Sequence, residues 1–87
     1  ADVIKIEPAD GGDKTRTLTG SGAGFFPTYN RNKRSVAVDV KSTAGLRFVR
    51  RRIDDADVLI ENFRPGGLEA LGLGYEALRA TTPGLVY

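Results

Sequence analysis

Four short β-branched runs, separated by one long polar stretch and two amphipathic stretches, constrain this chain more than any other feature. The runs are Val3-Ile4-Lys5-Ile6-Glu7, Ser35-Val36-Ala37-Val38-Asp39-Val40, Asp57-Val58-Leu59-Ile60-Glu61 and Leu85-Val86-Tyr87. Alternating residues of a strand share a face, so Val36, Val38 and Val40 form one apolar row. Between the second and third runs, Leu46, Val49 and Ile53 recur at helical spacing, with Arg47, Arg50 and Arg51 off that stripe. Ser42 or Thr43 is a suitable cap for this helix. Leu68, Leu71, Tyr75 and Leu78 supply a second set of helical contacts after Pro65, which suits a helix start.

The order β, long loop, β, α, β, α, β predicts an α/β fold with a mostly parallel sheet. Strands are expected at 3–6, 36–40, 57–61 and 84–87, and helices near 43–53 and 66–80. Pro8 is expected to stop the first ladder, since it has no N–H to donate. Residues 9–30 carry Gly11, Gly12, Gly20, Gly22 and Gly24 among Asp, Thr and Ser, the composition of a long surface loop. The chain lacks an initiator Met and stops within a strand-like run, so it reads as an internal piece of a longer protein.

Composition removes several chemistries. With no Cys and no His, thiol nucleophiles, disulfides, His-based triads and the usual zinc sites are excluded. The expectation is that no metal is used. The absence of Cys fits a cytoplasmic setting. No apolar run approaches the roughly 20 residues that span a bilayer, so no membrane partner is expected. A formal net charge of +2 is too small to imply nucleic acid. Arg47, Arg50, Arg51 and Arg52 have Phe48 alone among them as an aromatic and have acidic neighbours, which also argues against a nucleic-acid binder.

In open parallel sheets, ligands bind at the carboxyl ends of strands. That rule selects Glu7-Pro8, Val40-Lys41 and Asn62-Phe63-Arg64. A Lys between a strand end and a helix start is placed to meet a phosphate. An amide, an aromatic face and a guanidinium in one turn can bond a nucleotide, stack a base and pair with a phosphate. The bland readings are a basic turn at Asn30-Arg31-Asn32-Lys33-Arg34-Ser35 and a plain βα turn at Glu61-Asn62-Phe63-Arg64-Pro65-Gly66. Gly20-Ser21-Gly22-Ala23-Gly24 lacks the Lys-Ser/Thr ending of a phosphate loop and reads as a connector. The aspartates form no acid/base pair that spacing identifies.

Several segments together resemble one family. They are Ala1-Asp2-Val3-Ile4-Lys5-Ile6-Glu7-Pro8, Gly12-Asp13, Arg16, Asn30-Arg31-Asn32-Lys33-Arg34-Ser35-Val36, Asp39-Val40-Lys41, Ala56-Asp57-Val58-Leu59-Ile60-Glu61-Asn62-Phe63-Arg64-Pro65-Gly66, Leu71-Gly72-Leu73-Gly74-Tyr75 and Pro83-Gly84-Leu85-Val86-Tyr87. In that order they resemble the class III CoA-transferases, the formyl-CoA transferase and carnitine CoA-transferase type, related to the α-methylacyl-CoA racemases. The resemblance covers essentially the whole chain.

It implies that 1–87 belongs to a large, Rossmann-like CoA-binding domain with flanking helices, in an interlocked homodimer. It implies transfer of CoA between carboxylic acids through an aspartyl acyl-anhydride and thioester. Acyl-CoA and a carboxylic acid are then the substrates, and the reactive aspartate lies outside these residues. By the same resemblance, CoA contacts fall on Val38, Asp39, Val40 and Lys41 and on Asn62, Phe63 and Arg64. Two basic positions of the family pattern are replaced here by Pro8 and Ala70. The alternatives are a racemase of the same fold, which needs a His–Asp pair elsewhere, and a non-catalytic nucleotide-binding module. Tyr29-Asn30-Arg31-Asn32 leans towards the transferases.

Overall fold

The computed structural model describes residues 1–87 and is a small α/β arrangement. Strand β1 (Ile4–Pro8) pairs in parallel with β2 (Arg34–Val38), in a register running from Ile4 opposite Arg34 to Pro8 opposite Val38. The ladder lies two residues earlier on the second strand than the 36–40 expected from Val36, Val38 and Val40. The partner decides this: β1 ends at Pro8, so nothing in the ladder pairs beyond Val38. Pro8 is the last residue of its strand, where a missing N–H is tolerated.

The stretch 9–30 is more ordered than its glycines suggest. Gly12 N–H returns to Pro8 O at 3.1 Å. A single 3₁₀ turn at Lys14–Thr17 is capped by Asp13, whose side chain accepts from Thr15 N. A second turn covers Gly20–Gly22, and helix α1 covers Phe25–Tyr29. Pro27 is accepted in α1 because it falls in the first turn, where backbone N–H groups have no helical partner anyway. These elements form one compact unit, Ala1–Asp39.

The second compact unit is Val40–Tyr87. Helix α2 (Thr43–Asp54) starts at Ser42, whose hydroxyl accepts from Gly45 N at 3.0 Å. The expected stripe holds: Val49 and Ile53 are buried, Leu46 is half-buried, and Arg47, Arg50 and Arg51 are exposed. Leu68, Leu73 and Leu78 are also buried in this unit.

The helix expected at 66–80 is two helices, α3 (Gly67–Ala70) and α4 (Tyr75–Thr81). Leu73 N–H bonds to Leu68 O at 2.9 Å and Gly72 N–H to Glu69 O at 3.0 Å, the paired closing bonds of a Schellman motif. The motif needs a left-handed residue just past the helix, and Gly72 supplies it at φ +74°. Arg50 Nη1 donates to Gly72 O at 3.3 Å.

The expected strands 57–61 and 84–87 contract to one parallel bridge, Val58 with Val86. Leu59 N–H donates to Val86 O at 2.8 Å and Val86 N–H to Asp57 O at 2.9 Å. Tyr87 extends this corner. Its hydroxyl donates to Leu73 O at 3.2 Å, and its ring meets Tyr75 edge-on at 5.7 Å. Burial raises the Tyr87 hydroxyl above its ordinary pKa.

Candidate functional site

Glu7-Pro8 and Val38-Asp39 belong to the first unit, and Val40-Lys41 and Asn62-Phe63-Arg64 to the second. In the first, the main electrostatic feature is Glu7, a buried carboxylate near the end of β1. Arg16 Nε donates to Oε1 at 2.7 Å and Nη2 to Oε2 at 2.8 Å. Asp13 N–H donates to Oε1 at 2.8 Å, and the Ser35 hydroxyl of β2 donates to Oε2. The Arg16 guanidinium also sits 4.0 Å from the Phe26 ring centroid, a stacked cation–π geometry.

These donors, led by Arg16, hold Glu7 well below the usual carboxylate range against the opposing effect of burial. Beside it, Lys5 Nζ pairs with Asp13 at 2.8 Å, and that contact with the Thr15 bonds lowers Asp13 to about 2. A perturbed carboxylate is often a functional candidate. Here donors engage both oxygens of Glu7, so the group is committed to holding the 12–16 turn against the strands. It is not a proton carrier.

Sequence reasoning missed this cluster. Lys5, Glu7, Asp13, Arg16 and Ser35 lie up to 30 positions apart, and no local spacing joins them. The one available signal was an acidic residue inside an apolar strand run, a placement that calls for a partner.

Val38 is buried and Asp39 exposed where this unit ends. In the second unit, Val40 is half-buried and Lys41 exposed, one residue before the Ser42 cap of α2. The first turn of α2 carries no acidic side chain, so Lys41 adds to the positive end of the helix dipole.

Asn62, Phe63 and Arg64 lie together in one exposed segment between the Val58 bridge and α3. Phe63 exposes 54% of its surface, a large value for an aromatic residue. Arg64 O accepts from Gly67 N at 2.9 Å, which closes the turn into α3, and Phe63 N–H donates to the Glu61 carboxylate at 2.8 Å. A shallow groove lined by Val58, Leu59, Ile60, Glu61, Val86 and Tyr87 adjoins the start of this segment. The amide, ring and guanidinium expected at Asn62-Phe63-Arg64 are thus presented to solvent on one short segment leading into the turn at Pro65-Gly66. That set can contact a nucleotide base and an anionic group. No helix is long and apolar enough to cross a membrane.

Comparison with known proteins gives concordant matches. A family model described as CoA-transferase family III matches residues 1–87. A succinate–glutarate CoA-transferase of Agrobacterium fabrum is 42% identical, covering 100% of this chain and 24% of that protein. The human succinyl-CoA:glutarate CoA-transferase is 38% identical, covering 100% of this chain and 21% of that protein. The crystal structure of Rv3272 from Mycobacterium tuberculosis, in its orthorhombic form, superposes with a TM-score of 0.91 at 44% identity. That match covers 100% of this chain and 24% of the other. The chain therefore spans about a quarter of the length of the relatives it matches.

Proposed function

Since the chain belongs to CoA-transferase family III, we propose that it is the CoA-binding part of an enzyme that moves CoA between carboxylic acids. Relatives of this family are CoA-transferases acting on succinate, glutarate and other acids, as their names state. Acyl-CoA and a carboxylic acid are the substrates of this reading. The transfer runs through an aspartyl anhydride and thioester on an aspartate outside these residues. The complete enzyme is a cytoplasmic homodimer, and its CoA-binding domain is Rossmann-like.

The observation that carries the reading is the exposed turn Asn62-Phe63-Arg64. CoA presents an adenine, a 3′-phosphate and a diphosphate. Phe63 offers a stacking face, Arg64 a bidentate cation and Asn62 a donor and acceptor. Lys41, with Val40 beside it, adds a second cation at the start of α2. Val38 and Asp39, which end the first unit, are proposed as CoA contacts on their own account.

The test is titration of CoA into the complete enzyme. Lys41→Ala and Arg64→Ala are each expected to weaken binding by about 1–3 kcal/mol, the scale of a hydrogen bond to a charged group. Arg47→Ala and Arg51→Ala, on the exposed face of α2, are the controls and leave binding unchanged. Equal affinity in both strand-end variants and the parent removes CoA from these positions.

A further inference from the structure

A carboxylate directly beside a turn that receives a polyanion is unexpected, because its charge repels the ligand. Glu61 is such a group. It is exposed and immediately precedes Asn62-Phe63-Arg64. Its geometry supplies a reason for its presence. Glu61 Oε2 accepts the Phe63 N–H at 2.8 Å, closing a side-chain ring over two residues. Asp and Asn form rings of this kind in Asx turns, and here the side chain is one methylene longer.

The bond matters because little else fixes this stretch. The main-chain bonds of the bridge end at Leu59, and the next begins at Arg64 O, so residues 60–63 are held by no main-chain pair. An exposed segment without such bonds samples many conformations, and its aromatic side chain goes with it. Two contacts oppose that freedom. One is the Glu61 bond to Phe63 N. The other is the Phe63 side chain resting over Gly67, where an added Cβ would stand 3.4 Å from Phe63 Cβ and Cδ2. The first sets the backbone direction at Phe63, and the second sets where its ring lies.

We propose that Glu61 is a positioning residue: by accepting the Phe63 N–H, it holds the Asn62-Phe63-Arg64 turn in the conformation that receives the nucleotide end of CoA. This rests on the assignment of that turn to CoA. Glu61 itself touches no ligand. Its carboxylate oxygen is required as an acceptor, and its charge is incidental. Ordering the turn before the ligand arrives lowers the entropy cost of binding.

Acceptor and charge are separable by substitution. Glu61→Gln keeps an oxygen acceptor at the same reach and removes the charge, whereas Glu61→Ala removes both. CoA binding to the complete enzyme is measured by calorimetry for the parent, Glu61→Gln, Glu61→Ala and Phe63→Ala, with a thermal melt of each as a folding control. We expect Glu61→Ala to bind CoA about 3–10-fold more weakly, as for one neutral-scale hydrogen bond. Glu61→Gln binds at least as tightly as the parent. In turnover, Glu61→Ala raises KM and leaves kcat unchanged.

The proposal is overturned if Phe63→Ala weakens binding while Glu61→Ala binds as the parent does. It is equally overturned if both Glu61 variants bind more tightly, because Glu61 is then a repelling charge only. If Phe63→Ala and Arg64→Ala both leave CoA affinity unchanged, the assignment of the turn to CoA fails and this inference falls with it.

Discussion

Arg16 grips both oxygens of the buried Glu7 carboxylate, through Nε at 2.7 Å and Nη2 at 2.8 Å. The two residues are nine positions apart, so the contact folds the Gly-rich stretch back onto β1. Removing the carboxylate charge leaves Arg16 and Asp13 N–H with a poorer acceptor. Glu7→Gln is expected to lower stability by about 1–3 kcal/mol, measured by denaturant unfolding of the complete enzyme. Arg16→Lys should also destabilise, because an ammonium cannot reproduce the two-pronged contact or the stack on Phe26. A stability equal to the parent's in both variants would count against a clamp.

The same cluster sets a pH dependence. Arg16 chiefly holds Glu7 below its ordinary 4.5, and Lys5 chiefly lowers Asp13 from 3.8 to about 2. Both folded-state values are depressed, so the stability they contribute is fully present above the unfolded values. It is lost as pH falls from about 4 through 2 and below. Unfolding curves of the parent and Glu7→Gln should therefore converge as the solution is acidified across that window. A gap that stays constant down to the acid limit would contradict the assignment.

Lys41→Ala and Arg64→Ala should also separate binding from chemistry. On the proposed assignment these side chains meet a part of CoA away from the reacting centre, where contacts are equal in ground and transition states, so KM rises and kcat changes little. Steady-state kinetics with an acyl-CoA donor provides the measurement. A fall in kcat at unchanged KM would place these side chains at the reacting centre instead.

Gly72 makes the break between α3 and α4 at φ +74°. An L-residue there carries a backbone cost of about 1–2 kcal/mol. Gly72→Ala should lower the melting temperature, while Ala70→Gly, in the last turn of α3, probes ordinary helix propensity at about 1 kcal/mol. Equal or greater stability in Gly72→Ala would mean that the turn is made some other way.

Sequence alone determined what depends on local pattern. The stripe of Leu46, Val49 and Ile53 marked α2, because helical periodicity is set by neighbours three and four residues apart. Ser42 or Thr43 marked its start for the same reason, and the cap is Ser42. Parallel pairing followed from alternating strand and helix signals, and it holds for β1 with β2 and for Val58 with Val86. The Asn62-Phe63-Arg64 turn was legible as chemistry, since its three side chains are consecutive.

Tertiary structure decided the rest, wherever the outcome depended on a partner far along the chain. How far β2 runs is set by where β1 ends, so Val36-Val38-Val40 could not reveal it. The 57–61 run looks like a full strand but makes one bridge, to Val86, and a pairing that depends on a segment nearly thirty residues away has no local signal. The glycines of 9–30 suggested a free loop, yet Arg16 and Asp13 bind Glu7 there. Burial of that carboxylate is offset by donors from the 13–16 turn and from Ser35, a grouping that only the folded backbone assembles.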